Sequence, residues 1–148
     1  GEKAEYDSAT ATAINWLLAG YNVDLEKEKI ALVGYGKLVG RPLAGMWRNS
    51  GYDVRVFRHE DDLNELRDYS VIVSATGVPH LITAEMVKPG AIVVDAGTAS
   101  EDGVLVGDVS DEVRKRADLE AITPRVGGVG PLTVTALFEH VIGAANKR

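Results

Sequence analysis

Cysteine is absent from this chain of 148 residues. Without thiols, disulfide bonds, thiol catalysis and thiolate metal sites are all excluded. Three histidines are present, His59, His80 and His140, and none of them belongs to an HxxxH or HExxH pattern. A histidine metal site is therefore not expected, and the sequence predicts no bound metal.

Long apolar runs and an excess of positive charge are missing too. No uninterrupted apolar segment approaches the roughly 20 residues that a membrane-spanning helix needs, and the polar start of the chain does not resemble a signal peptide. Acidic residues outnumber basic residues by 22 to 16, for a formal net charge of −6, whereas nucleic-acid binding requires a basic face. These absences predict a cytoplasmic protein that binds neither membranes nor nucleic acid.

What the chain does have is a regular alternation of short apolar segments and helical patterns. Strands are predicted at residues 29–33, 54–57, 71–74, 91–95 and 121–123. Helices are predicted from Asp7 or Ser8 to Gly20, at 39–50, at 84–87 with Thr83 as its cap, at 111–117 and at 131–146, with a weakly helical stretch at 61–69 and a hairpin turn at 101–103. Apolar strands separated by helices imply a parallel sheet covered on both faces. The expected fold is α/β, a Rossmann-like doubly wound parallel sheet that forms a single domain over residues 1–148.

A glycine-rich segment, Gly34-Tyr-Gly36-Lys-Leu-Val-Gly40, follows the first predicted strand and opens the second predicted helix. In a dinucleotide-binding fold the first glycine permits a tight turn, the second lets the backbone approach a pyrophosphate, and the third lets helix and strand pack closely. The phosphates would lie at the helix N-terminus, where free N–H groups and the helix dipole attract anions. An ordinary strand-to-helix turn is the alternative, but the flanking elements favour nucleotide binding.

The segment Arg58-His-Glu-Asp61, at the end of the second predicted strand, is the candidate for contacts with a ribose. An acidic residue there suits the hydroxyls of NAD, and an arginine suits the 2′-phosphate of NADP. Both kinds of residue are present, so NADP and NAD both stay open, as does a solvated charged loop.

The other predicted strands end in small residues, which leave room for a flat ring system at the sheet edge where such folds bind ligands. Asp95 is either catalytic or a cap for neighbouring backbone amides, and Arg125 either meets an anionic group or is solvated. The run Gly127-Gly-Val-Gly130-Pro131 is costly in chain entropy, which favours close approach to a ligand or another backbone over a bare linker.

Three stretches make the chain resemble a known family. They are VGRP at 39–42, KPGAIVVDAG at 88–97 with VGDV at 106–109, and TPRVGGVGPLT at 123–133. In order and spacing they are similar to the C-terminal NAD(P)-binding domain of the bifunctional methylenetetrahydrofolate dehydrogenase/methenyltetrahydrofolate cyclohydrolase family. The resemblance runs from about Asp7 to the last predicted helix.

The resemblance implies an enzyme that oxidises 5,10-methylenetetrahydrofolate with NADP, or alternatively NAD, and hydrolyses the methenyl product to 10-formyltetrahydrofolate. Together with the glycine-rich segment and the second strand end, it gives as cofactor contacts Gly34, Tyr35, Gly36, Arg58, His59 and Thr98. It also implies a cleft for substrate and nicotinamide that is lined by Gly127, Gly128, Val129, Gly130, Pro131 and Thr133.

Three departures from the family pattern affect the cofactor site. Tyr35 stands where the family often has an arginine, and His59 followed by Glu60 stands where a serine and a basic residue are usual. Both usual contacts with the 2′-phosphate are thereby altered, and Arg58 is the residue that would compensate. Arg125-Val126-Gly-Gly stands in place of the family's VPGG sequence, and the loss of that proline changes the stiffness of the loop.

The family's catalytic tyrosine and lysine are spaced YxxxK, and none of the five tyrosines of this chain is followed four residues later by lysine. No catalytic residue is therefore predicted here. The resemblance places that pair in an N-terminal folate-binding lobe, which would be the partner that brings the tetrahydrofolate derivative, and it also implies pairing of two copies through this domain. The competing hypotheses are a non-catalytic dinucleotide-binding or dimerisation module and the lobe of a different Rossmann dehydrogenase.

Overall fold

The computed structural model describes residues 2–20, 22–36, 39–97 and 100–122. Its strands are β1 (Lys29–Val33), β2 (Asp53–Phe57), β3 (Val71–Ser74), β4 (Ile92–Asp95), β5 (Ser100–Glu101), β6 (Val104–Leu105) and β7 (Ala121–Ile122). Its α-helices are α1 (Glu2–Gly20), α2 (Gly40–Asn49) and α3 (Asp111–Arg114), and two 3₁₀ helices span Leu63–Asp68 and Ala84–Met86. The predicted helix at 131–146 lies outside the described residues.

Within these residues, five strands form one parallel sheet in the order β2-β1-β3-β4-β7. The chain runs from β1 outward to β2 and then returns to place β3 on the other side of β1. The strand order therefore reverses between β1 and β3, which is where an open α/β sheet forms a ligand crevice. The strands β5 and β6 make a separate hairpin that turns at Asp102 and Gly103, as predicted.

Alternate residues of the strands point into two separate cores, one on each face of the sheet. Ile30 and Leu32 of β1 join a core that α1 and α2 cover, through buried residues such as Trp47. Ala31 and Val33 join the opposite core, which the two 3₁₀ helices and α3 cover. The α/β Rossmann-like fold with helices on both faces is thereby confirmed.

The predicted start of the first helix was wrong. Asp7 and Ser8 both lie inside α1, which begins at Glu2. A capping residue does not start a helix when the residues before it also favour the helical conformation. Glu2, Lys3, Ala4 and Glu5 are good helix formers, and the helix therefore extends through them toward the N-terminus. The side chains of Ile14, Leu17 and Leu18, which are spaced along one side of α1, are buried.

The short helices on the second face differ from prediction in type and length. The segments predicted at 84–87 and 111–117 form the 3₁₀ helix Ala84–Met86 and the single turn α3. Thr83 occupies the predicted N-cap position, but its side chain makes no capping hydrogen bond. In the part of the chain that the structure describes, no helix combines the length and apolarity needed to cross a membrane.

Candidate functional site

An open cleft of about 400 Å³ lies at the carboxyl ends of β1, β2 and β3. The loops that follow these three strands form its sides, because the strands end at Val33, Phe57 and Ser74. The cleft is lined by Gly34, Tyr35, Gly36, Arg41, Arg58, His59, Ala75, Thr76 and Val78. It therefore occupies the reversal point of the strand order, where doubly wound sheets bind ligands.

The structure brings five of the six predicted cofactor contacts together at this cleft, although Arg58 lies 22 positions after Gly36 in the sequence. The five are Gly34, Tyr35, Gly36, Arg58 and His59. The sixth, Thr98, and the predicted cleft residues 127–131 and 133 lie outside the described residues. A cofactor contact at any of these positions remains a prediction.

Backbone hydrogen bonds continue the sheet into the cleft loops and fix their relative positions. The Gly34 amide donates to the carbonyl of Phe57 at 2.9 Å, and the Ala75 amide donates to the carbonyl of Val33 at 2.9 Å. The Arg41 amide donates to the carbonyl of Gly36 at 2.9 Å, which ties the glycine-rich loop to the first turn of α2. The loops that line the cleft are thus held by strand pairing and by the start of a helix.

The glycine-rich loop needs glycine at its first and third positions for steric reasons. Gly34 has φ of +104°, and a Cβ there would lie 2.6 Å from the carbonyl oxygen of Ala75. A Cβ on Gly40 would lie 2.4 Å from the carbonyl oxygen of Gly34. A Cβ on Gly36, by contrast, would meet no atom of the described residues within 4 Å, and Gly36 itself lines the cleft.

The N-terminus of α2 opens beside this loop without a side-chain cap. The N-cap residue Val39 makes no side-chain hydrogen bond, and no acidic residue stands in the first turn. The partial positive charge of a helix N-terminus is therefore not neutralised by a carboxylate of that turn. The dipole at such a helix N-terminus attracts phosphate.

Two guanidinium groups approach the ring of Tyr35 in the cleft. The Cζ atom of Arg58 lies 4.6 Å from the ring centroid, and that of Arg41 lies 5.4 Å away. Both distances suit cation–π attraction. Sequence reasoning singled out Arg58 but assigned no role to Arg41, although it stands in the VGRP stretch and in the first turn of the helix that follows the glycine-rich loop.

Other charged side chains at and after the end of β2 lie beside carboxylates. Arg55 of β2 donates to the carboxylate of Glu65 at 3.1 Å, and this hydrogen bond raises the pKa of Arg55 above its ordinary value. The His59 ring is 98% exposed, and its Nδ1 lies 3.3 Å from Oε2 of Glu60. Glu60, the acidic candidate for the ribose of NAD, stands beside His59 and does not line the cleft.

Asp95 fills the structural role that the sequence had left open against a catalytic one. Its Oδ1 accepts from the amides of Gly97 and Asp108 at 3.0 and 3.1 Å. Its Oδ2 accepts from the amide of Val109 at 3.1 Å and from the Arg114 guanidinium at 2.7 Å. This carboxylate, 3% exposed, anchors the excursion between β4 and α3 to the end of β4.

Asp108 was not recognised from the sequence, although it lies in the VGDV stretch. The buried carboxylate accepts at Oδ2 from the Ser74 hydroxyl, the Thr76 amide and the Thr76 hydroxyl, at 2.7, 2.7 and 2.9 Å. Its Oδ1 accepts from the Gly77 amide at 3.0 Å. Asp108 therefore holds the loop after β3 in place, and this loop forms one side of the cleft.

Comparison with known proteins agrees with this arrangement. The sequence model of the tetrahydrofolate dehydrogenase/cyclohydrolase NAD(P)-binding domain matches residues 8–148. The chain belongs to this family. The family-specific resemblance carried by VGRP and GGVGPLT is thereby confirmed, and the chain is an NAD(P)-binding domain.

Relatives in this family are about twice as long as the chain. The bifunctional protein FolD of Aquifex aeolicus is 41% identical over 141 residues, which cover 94% of this chain and 48% of that protein. FolD of Methanosarcina barkeri is 46% identical over 131 residues, which cover 86% of this chain and 45% of that protein. The chain thus spans about half the length of the relatives it matches.

Solved structures of the family share the fold described above. The bifunctional FolD enzyme of Campylobacter jejuni superposes with a TM-score of 0.74 at 39% identity, covering 94% of this chain and 50% of that one. The Trypanosoma brucei enzyme, solved with NADP cofactor and an inhibitor, gives a TM-score of 0.71 at 34% identity, covering 93% and 50%. The malic enzyme of Pyrococcus horikoshii, at 15% identity and a TM-score of 0.57 over 97% of this chain and 41% of that one, shares the fold alone.

Proposed function

We propose that this chain is the cofactor-binding half of an enzyme that oxidises 5,10-methylenetetrahydrofolate with NADP and hydrolyses the methenyl product to 10-formyltetrahydrofolate. The observation that carries the proposal is the cleft between β1 and β3, which combines a glycine-rich loop, an uncapped helix N-terminus and two guanidinium groups. The methylenetetrahydrofolate dehydrogenase/cyclohydrolase of Campylobacter jejuni supports the reaction, and NADP in the Trypanosoma brucei relative supports the cofactor.

The residues of the cleft fit a dinucleotide. The pyrophosphate would lie against Gly36, where the side-chain position is open space, and would face the first turn of α2. Backbone N–H groups and the helix dipole would stabilise its charge there. The adenosine ribose would lie at the end of β2, beside Arg58 and His59.

The charges at the end of β2 favour NADP over NAD. The 2′-phosphate brings negative charge to the position that Arg58 lines, and a guanidinium binds phosphate through charge-assisted hydrogen bonds. The acidic residue that would read the hydroxyls of NAD, Glu60, is placed beside His59 outside the cleft lining. Among the described residues, the lining of the cleft thus offers a cation to the 2′-phosphate and no carboxylate to a free ribose hydroxyl.

A bound nicotinamide cofactor would supply the acceptor for hydride from the folate substrate. This chain contributes the binding and orientation of the dinucleotide, and hydride transfer also requires the second reactant in reacting geometry. We propose that a tetrahydrofolate-binding lobe supplies that wall of the cleft together with the catalytic residues. The 148-residue chain alone is expected to bind dinucleotide without turnover.

Calorimetric titration with NADP⁺ and NAD⁺ tests the cofactor assignment. Wild type is expected to bind NADP⁺ more tightly, and Arg58→Ala to weaken NADP⁺ by roughly 10- to 100-fold, because it removes a charge-assisted contact. Affinity for NAD⁺ is expected to change by less than about twofold, because NAD⁺ has no 2′-phosphate to contact Arg58. Arg67→Ala, which removes an exposed arginine of the neighbouring 3₁₀ helix, is the matched control.

Two outcomes would contradict the assignment. Tighter binding of NAD⁺ than NADP⁺ would overturn the preference and return Glu60 to the role of ribose reader. Failure of both nucleotides to bind at millimolar concentration would overturn the cofactor-binding role of this chain.

Pairing of two copies through this domain belongs to the same proposal. The large apolar side chains of Trp16 and Val104 are 71% and 63% exposed, and a dimer that covered them would remove apolar area from water. Sedimentation velocity is expected to show a dimer at micromolar concentration. A monomer at all concentrations tested would refute the pairing.

A further inference from the structure

The side chain of Tyr35 lines the cleft and is held by packing within the protein. It is partly buried and packs against the core that α1 and α2 cover. Tyr35 follows Gly34, whose positive φ and close contact with Ala75 define the direction in which the loop leaves β1. The ring therefore has a position of its own, independent of any ligand.

The two guanidinium groups over this ring come from different elements. Arg58 follows β2, and Arg41 belongs to the first turn of α2. Their Cζ atoms lie 4.6 and 5.4 Å from the ring centroid. Both positive charges therefore lie beside the same ring at the cleft, and like charges repel one another.

Nothing within the described part of the chain neutralises these two charges. The ion pairs found among the described residues engage Arg55, Arg114 and Arg116 but neither Arg41 nor Arg58. The acidic side chain of Asp61 is used differently, since it accepts from the backbone amide of Arg58 at 2.8 Å. Two unpaired cations at one edge of an open cleft form a site for a doubly charged anion.

We propose that Arg41 is a second contact for the 2′-phosphate of NADP and determines cofactor specificity together with Arg58. Tyr35 is the positioning residue that holds both guanidinium groups. This inference rests on the proposed function. The phosphate would lie between the two groups and relieve their repulsion, whereas NAD, with a neutral ribose, would leave it in place.

Calorimetric titration of the 148-residue chain with NADP⁺ and NAD⁺ tests this assignment. Arg41→Gln is expected to weaken NADP⁺ by roughly tenfold or more, the effect of one charge-assisted contact, and to leave NAD⁺ within about twofold. Arg48→Gln removes the same charge from the last turn of α2, about two helical turns away, and is expected to change neither affinity.

Two substitutions of Tyr35 test whether its aromatic ring is needed to position the two guanidinium groups. Tyr35→Phe keeps the aromatic ring and is expected to retain the preference for NADP⁺. Tyr35→Leu removes the ring and is expected to lose most of that preference. Thermal unfolding of each variant shows whether the protein is folded at the titration temperature, and the NAD⁺ titration reports an intact pyrophosphate site.

The outcomes separate this inference from the function on which it rests. If Arg58→Ala lowers the NADP⁺ preference and Arg41→Gln does not, the cofactor assignment stands and the role of Arg41 is overturned. If Arg41→Gln weakens both nucleotides equally, Arg41 serves the pyrophosphate and the inference is again overturned. If wild type binds neither nucleotide, the proposed function and the inference fail together.

Discussion

Gly40→Ala is expected to lower the free energy of unfolding by about 3 kcal/mol and to abolish dinucleotide binding, because it forces atoms into a packed contact. The added Cβ would lie 2.4 Å from the carbonyl oxygen of Gly34 and 2.7 Å from Cα of Tyr35. Both are backbone atoms, so no side-chain rotation relieves the clash. The first turn of α2 must then move away from the loop that would bind the phosphates.

Gly45→Ala is the matched control, since Gly45 lies in the same helix and a Cβ there meets none of the described residues within 4 Å. Alanine at an exposed helix position is expected to raise stability by about 1 kcal/mol and to leave binding unchanged. Urea denaturation gives the stabilities, and calorimetric titration gives the affinities. A Gly40→Ala protein with wild-type stability would show that the loop is not packed as described.

Gly36→Ala separates binding from folding if Gly40→Ala does not fold. The Gly36 side-chain position is open, and stability is expected to stay within about 0.5 kcal/mol of wild type. The methyl group would occupy the space proposed for the pyrophosphate, so NADP⁺ and NAD⁺ should weaken together. Unchanged affinity for both would move the pyrophosphate away from Gly36.

Asp108→Asn is expected to destabilise the protein by about 3 kcal/mol, although it changes only one atom of the side chain. The carboxylate of Asp108 is fully buried and accepts four hydrogen bonds from Ser74, Thr76 and Gly77. An asparagine side chain has a single acceptor oxygen. Whichever way the amide is turned, its NH₂ group faces at least one N–H or O–H donor, which loses its acceptor.

The same substitution is expected to weaken dinucleotide binding, because the loop that Asp108 holds includes Thr76, which lines the cleft. Asp68→Asn is the control, since Asp68 is exposed at the end of the 3₁₀ helix Leu63–Asp68. Urea denaturation and NADP⁺ titration of both variants measure the two effects. If Asp108→Asn unfolds at the same urea concentration as Asp68→Asn, the four hydrogen bonds contribute far less than proposed.

Patterns confined to neighbouring residues predicted the fold well. The strands β1 and β3 were predicted with their observed bounds. Each is a short, mostly apolar run, and such a run is typical of a strand that is buried on both faces of a sheet. Elements whose signals were weak were predicted less well. A single turn such as α3 is stabilised by its contact with the second core through Val113, which no local pattern specifies.

The candidate site was predicted where backbone conformation demands a residue type. Gly34 and Gly40 were assigned roles that their contacts explain, because glycine at a strand-to-helix turn signals a close approach. Arg41 and Asp108 were missed for the opposite reason. An arginine in a helix and an aspartate in a loop have many uses, and their neighbours in space come from distant parts of the chain.

The sequence by itself determined the parallel α/β fold, the family and the loop that would bind the cofactor phosphates, since each depends on residues close together along the chain. Only the tertiary structure decided that Arg41 and Arg58 share the ring of Tyr35, that Glu60 stands outside the cleft lining, and that Asp95 and Asp108 are anchors. These roles depend on burial and on distances across the sheet. Such quantities exist only once strands far apart in the chain lie side by side.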